Sequence, residues 1–250
     1  MRYFIKLDYL GTNYHGWQIQ PNGITVQEEL NKALSSFFKS ETSVVGCGRT
    51  DAGVHARNYI AHFDSPKLDA SAFLKQINLR IPPDIAVTDL YLVEEEAHAR
   101  YDAHFRRYEY EISYEKEVFF HQNRYQYPYK LKPELSILKN LSDVFLGEHD
   151  FYAFHKLGSD VKHTRCLMTE FQWEVHENGI KLSIGANRFL RGMVRLLVGA
   201  SINIGLNKVS YDQVYLAVTK QKPLPINLSV PAEGLSLVEI KYPYELRSLH

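Results

Sequence analysis

Across the first ten residues Tyr3, Ile5 and Leu7 alternate with Phe4, Lys6 and Asp8, the period of two that a half-buried strand requires. This predicts a strand over residues 2–10, closed by the glycine-punctuated aromatic loop Gly11-Thr12-Asn13-Tyr14-His15-Gly16-Trp17. The period then changes. Val26, Leu30, Ala33, Leu34 and Phe37 fall on one helical face, and Thr25-Val26-Gln27-Glu28 has the form of a capping box. A β-branched run from Thr42 to Val45 leads into a glycine-rich stretch, Gly46 to Ala56, and an apolar strand follows at 58–64. Phe73, Leu74 and Ile77 mark a helix over 69–80, which Pro82-Pro83 closes before a strand at about 85–93. That order, strand-helix-strand-strand-helix-strand, is the split βαβ unit of a ferredoxin-like domain.

A division falls around 95–105, giving an N-terminal half of residues 1–105 and a C-terminal half of residues 106–250. The second half opens on a clean alternation, with Arg106, Tyr108, Tyr110, Ile112 and Tyr114 on one face and Arg107, Glu109, Glu111 and Ser113 on the other. Residues 116–132 carry many aromatics and no period, which reads as a long loop. A helix over 133–146 (Leu135, Leu138, Leu141, Phe145) stops at Gly147; the segment Gly147 to Phe154 follows, and then a polar loop to His163. Strands at 165–176 and 179–187 then form a hairpin across Asn178-Gly179. Helices at 188–204 and 210–220 and a strand at 235–241 end the chain, and no internal repeat is present. The fold expected is α+β: two ferredoxin-like halves with mostly antiparallel sheets and a central cleft.

Composition narrows the class. A chain of 250 residues, 45% hydrophobic and 23% charged, has the make-up of a globular protein. No window holds eighteen uninterrupted apolar residues, and the best candidate, Met193 to Leu206, contains Arg195, so a membrane span is rejected. The alternating N-terminus lacks a signal-peptide core, and two cysteines, Cys47 and Cys166, are too few for a disulfide scaffold or a thiolate metal site. The expected location is cytoplasmic. His149, His155 and His163 fit no metal-ligand spacing, and there is no P-loop or dinucleotide fingerprint, so neither metal nor cofactor is expected. Lys+Arg and Asp+Glu both number 29, so any nucleic-acid binding must come from local patches.

Three places carry candidate chemistry. In Gly46-Cys47-Gly48-Arg49-Thr50-Asp51-Ala52-Gly53 a carboxylate stands on a turn with an arginine two residues earlier, although Asp-Ala-Gly is also ordinary turn chemistry. Arg195 is embedded in the apolar run Met193 to Val198, where a charge needs either a carboxylate partner or a route to water past its own stem. Arg188, Arg191 and Arg195 have the spacing of one helix face, which could meet phosphates or simply be solvated. Tyr108 lies on an aromatic strand face that reads equally well as core.

The run Gly48-Arg49-Thr50-Asp51-Ala52-Gly53-Val54-His55-Ala56 resembles the signature of the tRNA pseudouridine synthase A family, in which the aspartate is catalytic. Asn187 to Arg195 resembles the family's late motif, whose final arginine pairs with that aspartate, and Ala103 to Tyr110 its tyrosine motif. Gly11 to Gln20 with Thr25 to Glu28, Gly147 to Phe154 with Thr164-Arg165, and Pro231 to Leu237 match further segments in order, so the resemblance spans the chain. It implies catalytic roles for Asp51, Tyr108 and Arg195 and a catalytic cleft between the halves. Arg49 would shape the base-flipping loop and meet phosphate, and Leu237 would border the base pocket; Arg188 and Arg191 are RNA-contact candidates on their spacing. It further implies a cofactor-independent isomerase that flips a uridine at positions 38 to 40 of tRNA, working as a homodimer. The loop 116–132 departs most from the family pattern, and His104 and Phe105 are unusual within the tyrosine motif. A non-catalytic tRNA-binding module and a glycosidase are the other classes considered. The intact Asp51, Tyr108 and Arg195 argue against the first, and the lack of a second carboxylate in a comparable motif argues against the second.

Overall fold

The N-terminal alternation becomes β1 (Arg2–Tyr9), with Tyr3, Phe4, Ile5, Leu7 and Tyr9 all buried. The computed structural model describes residues 1–128, 132–156, 163–224 and 228–250. The chain divides into two compact units, Met1–His104 with Ser236–His250, and Phe105–Leu235.

In the first unit β1 is followed by α1 (Val26–Phe38), β2 (Val45–Gly46), β3 (His55–Asp64), α2 (Ala70–Asn78) and β4 (Ile85–Val93). The helix starts are set by side-chain caps. Thr25 Oγ1 accepts the Glu28 N–H at 3.3 Å, and Asp69 Oδ1 accepts the Ala72 N–H at 2.8 Å. α1 buries Val26, Leu30, Ala33 and Leu34, the stripe that the spacing predicts, and Phe37 meets Phe73 of α2 edge-on at 5.3 Å. β1 pairs antiparallel with both β3 and β4, and β2 pairs antiparallel with β3, which is the interleaved order of a split βαβ unit.

The second unit contains β5 (Phe105–Ser113), β6 (Tyr125–Gln126), α3 (Leu135–Phe145), β7 (Gly147–Asp150), β8 (Arg165–His176), β9 (Gly179–Ala186), α4 (Met193–Gly205) and α5 (Tyr211–Lys220). Its strands run β5-β9-β8-β7, each pair antiparallel, and β6 lies parallel to β5. β10 (Leu235–Lys241) then pairs parallel with β3, Ser236 opposite His55 and Leu237 opposite Ala56. Residues 236–250 therefore belong to the first unit and not to the expected half 106–250. The architecture is α+β with mostly antiparallel strands.

Four local expectations are corrected. Residues 116–132 are not all loop: β6 forms within them, and Tyr125 and Tyr127 join Tyr110 and Tyr114 in a chain of ring contacts of 5.9–6.4 Å, which explains the tyrosines there. β7 was not expected, because Gly147-Glu148-His149-Asp150 shows no apolar alternation. The β8–β9 hairpin turns on Glu177-Asn178, since Gly179 already pairs with His176. A Cβ at Gly179 would come within 1.9 Å of the Ile112 carbonyl oxygen, so that glycine serves a close approach to β5. α4 begins at Met193, not at 188, behind Gly192 at φ 71°. Residues 129–131 of the expected loop and 157–162 of the polar loop lie outside the described residues. No helix among the described residues is long and apolar enough to cross a membrane.

His62 on β3 is 5% exposed; its ring stacks on Phe4 and its Nδ1 accepts the Ala99 N–H at 3.2 Å. Burial first, then the neighbouring His98 and Arg2, lower its pKa to about 4. The folded state thus keeps this ring neutral while an unfolded chain protonates it near pH 6.5. Its contribution is intact above about pH 6.5, declines as pH falls to about 4, and levels off below, a loss of at most about 3 kcal/mol. Urea unfolding of the wild type across that range should show the decline, and His62→Gln should flatten it; an unchanged slope in the variant would exclude this ring as the cause.

Candidate active site

Asp51 stands in the connection between β2 and β3, which is shaped by main-chain bonds to the loop after β1. The Val54 N–H closes the Asp51 turn by donating to the Asp51 carbonyl at 3.1 Å. On one side of the aspartate the Trp17 N–H donates to the Thr50 carbonyl at 3.2 Å; on the other the Gly53 N–H donates to the Tyr14 carbonyl at 3.3 Å. Tyr9 and Thr50 share a buried hydroxyl bond at 2.9 Å, and the Gly11 N–H donates to His55 Nδ1 at 2.9 Å. Beneath the turn Trp17 stacks on Tyr59 at 4.1 Å, and the Tyr59 hydroxyl donates to the Gly48 carbonyl. Both rings are buried, so the turn rests on an aromatic floor. Gly16 has φ 85°, and a Cβ there would lie 2.3 Å from the Thr50 carbonyl oxygen, so only glycine lets the two loops approach this closely. Asp51 is half-buried on this frame and Arg49 is exposed. Leu237 is buried next to Ala56, on the strand that carries the chain away from the turn.

Tyr108, Arg188, Arg191 and Arg195 belong to the second unit. Tyr108 is half-buried opposite Ile184 of β9, with its ring edge-on to Phe189 at 5.2 Å. Phe189 lies in the connection before α4, as do Arg188 and Arg191. These two arginines therefore do not share a helix face with Arg195, and the expected stripe is not formed. Arg188 Nη1 instead donates to His163 Nε2 at 2.9 Å, while exposed Arg191 accepts the Lys156 N–H on its carbonyl. Arg195 projects from the first turn of α4. Its Nε donates to the Val230 carbonyl at 2.7 Å, and its own carbonyl accepts the Val230 N–H at 3.3 Å. The next residue, Pro231, accepts the hydroxyl of fully buried Tyr110 at 2.9 Å, and the Glu111 N–H donates to the Gly234 carbonyl. Residues 230–234 thus tie α4 to β5, the strand that bears Tyr108. Burial, above all, raises the Tyr110 hydroxyl pKa far beyond its ordinary value, so it stays protonated and donating.

A hollow of about 530 Å³ near the C-terminal end of β5, with Ser113, Glu117, Phe120, Arg124 and Glu233 in its wall, contains none of the expected site residues. The histidines considered as ligands have separate partners: His149 meets the Leu146 carbonyl, His155 the Tyr152 carbonyl and His163 Arg188. No group of three or more His, Cys, Asp or Glu able to hold a metal occurs among the described residues. Sequence reasoning did not single out Tyr59, His55, Phe189 or Val230. Val230 acts through its main chain, which leaves no mark in residue identity.

Residues 7–102 and 142–243 match the family model described as tRNA pseudouridine synthase. Curated relatives named tRNA pseudouridine synthase A include one from Bacteroides fragilis, 42% identical and covering 98% of each chain. Another, from Azobacteroides pseudotrichonymphae, is 39% identical over 97% of each chain. A third, from Thermoanaerobacter sp. strain X514, is 36% identical over 95% of this chain and 98% of its own.

The close contact at Gly16 can be tested against a control in the facing β2–β3 connection. Gly16→Ala should lower stability by about 1–3 kcal/mol in denaturant unfolding. Gly48→Ala, where an added Cβ meets nothing within 4 Å, should stay within about 0.5 kcal/mol of wild type. Equal effects at the two positions would contradict the packing described.

Proposed function

The chain belongs to the tRNA pseudouridine synthase family, and from that premise we propose that it modifies uridines at positions 38 to 40, in the anticodon stem-loop. The reaction is the isomerisation of uridine to pseudouridine in tRNA. The bond between N1 of uracil and C1′ of ribose breaks, the base turns in place, and C5 bonds to C1′. The C5 proton then leaves while N1 gains one, so no atom is lost and no external oxidant or energy source is consumed. A base within a stem is out of reach of a side chain, so the target is flipped out at a cost of a few kcal/mol.

In this reading Asp51 drives glycosidic cleavage, and Arg195 is the guanidinium that orients it. Tyr108 stacks on the extruded base, and its oxygen takes the C5 proton as its own hydroxyl proton passes to solvent. Arg49 serves the flipping loop, Arg188 and Arg191 meet the RNA backbone, and Leu237 borders the base pocket. The observation that carries the reading is the setting of Asp51: a half-buried carboxylate on a turn bonded on both sides to a second loop, within a stretch that matches the family signature. A rigid mount is what a group that promotes glycosidic cleavage needs, because small misplacements are costly in rate. The apolar first turn of α4 supports a paired role for Arg195, since an uncompensated charge there would be expensive. The same proposal includes a homodimer acting in the cytoplasm.

The test is incubation with an unmodified tRNA transcript, followed by mapping of pseudouridine. Asp51→Asn should slow single-turnover formation by roughly 1,000-fold or more while leaving tRNA affinity within about twofold, because binding rests largely on phosphate contacts. Wild-type rates in that variant would overturn the role of Asp51. Arg195→Leu should also impair the chemical step, and a fully active, well-folded variant would refute the pairing. Modification confined to uridines outside positions 38 to 40 would refute the assigned target.

A further inference from the structure

Asp84 lies in the turn between α2 and β4, outside every segment assigned a role above. Three groups of the loop after β1 converge on it. The Tyr14 hydroxyl donates to Oδ1 at 2.5 Å, Asn13 Nδ2 donates to Oδ2 at 3.1 Å, and the Leu10 N–H donates to the main-chain carbonyl at 2.9 Å. Tyr14 is 5% exposed, and burial, followed by the adjoining carboxylate, raises its pKa well above the ordinary phenol value, which keeps the hydroxyl a donor. The same residue turns its carbonyl to the Gly53 N–H, two positions beyond Asp51.

We propose that Asp84 is a positioning residue: its carboxylate fixes Tyr14 and Asn13, and through the Tyr14 main chain it sets the turn on which Asp51 stands. This rests on Asp51 being the catalytic group. Removing the carboxylate would leave the Leu10 bond, the His55 bond to Gly11 and the Trp17 bond to Thr50 in place. The unit would stay folded while the Gly53 side of the turn loosens. A loosened Gly53 side affects the chemical step more than the capture of tRNA, because main-chain precision matters to the reacting atoms, whereas the long side chains of Arg49, Arg188 and Arg191 can still reach phosphate.

The experiment compares Asp84→Ala, Asp84→Glu and Tyr14→Phe with wild type and Asp51→Asn, measuring single-turnover pseudouridine formation and tRNA Kd well below each variant's Tm. Asp84→Ala should be about 10- to 100-fold slower with Kd within about twofold, and Tyr14→Phe should show a smaller loss. Asp84→Glu, which keeps the charge and both acceptor oxygens, should recover part of the rate. A wild-type rate in folded Asp84→Ala, beside an inactive Asp51→Asn, would overturn the positioning role alone. A rate loss matched by an equal loss of affinity, with no recovery by Asp84→Glu, would also overturn it. An active Asp51→Asn would instead remove the premise. Where Asp84→Ala does not fold, Tyr14→Phe decides by the same criteria.

Discussion

The setting of Asp51 depends on a pair of main-chain hydrogen bonds that flank it, from Trp17 to Thr50 and from Gly53 to Tyr14. A turn between two strands is normally free to move, since its polar groups can find water as easily as protein. Here the turn is bonded to a second loop, which is itself held by β3 through His55 and by the α2–β4 turn through Asp84. The stacked Trp17 and Tyr59 exclude water from below. Asp51 is thus held in place by main-chain and aromatic groups of the elements around it.

The second unit repeats the logic with a different device. Residues 230–234 have little secondary structure, yet they receive Arg195 from α4 and Tyr110 and Glu111 from β5. Each bond ends on a main-chain atom of the segment, which acts as a strap joining helix and sheet, and Gly234, where a Cβ would lie 2.7 Å from the Tyr110 ring, lets it approach β5. The connection before α4 works similarly for Tyr108, whose ring packs edge-on against Phe189.

Much of this was legible in the residues. Alternation located β1 and β5, turn residues bounded β4, β8 and β9 to within a few positions, and the Thr25 cap marked the start of α1. What could not be read has physical causes. β7 is a short strand whose pairing is made by main-chain atoms, with no apolar period to reveal it. The start of α4 was placed too early because arginines at 188, 191 and 195 have helical spacing, whereas a left-handed glycine at 192 prevents the helix from extending back to them. The return of β10 to β3 joins positions far apart in the chain, and periodicity carries no information about such partners. Within the site, Asp51 was marked by its motif, but Asp84 was hidden: a lone acid after two prolines looks like any exposed turn residue.

The central claim is that the Asp51 turn is rigid before substrate arrives. Native-state hydrogen exchange at the Trp17 and Gly53 amides of the free enzyme tests it directly. The account predicts that both exchange slowly, through the same cooperative opening as the amides of β3. Exchange of either at the rate of an open loop, while β3 stays protected, would contradict it.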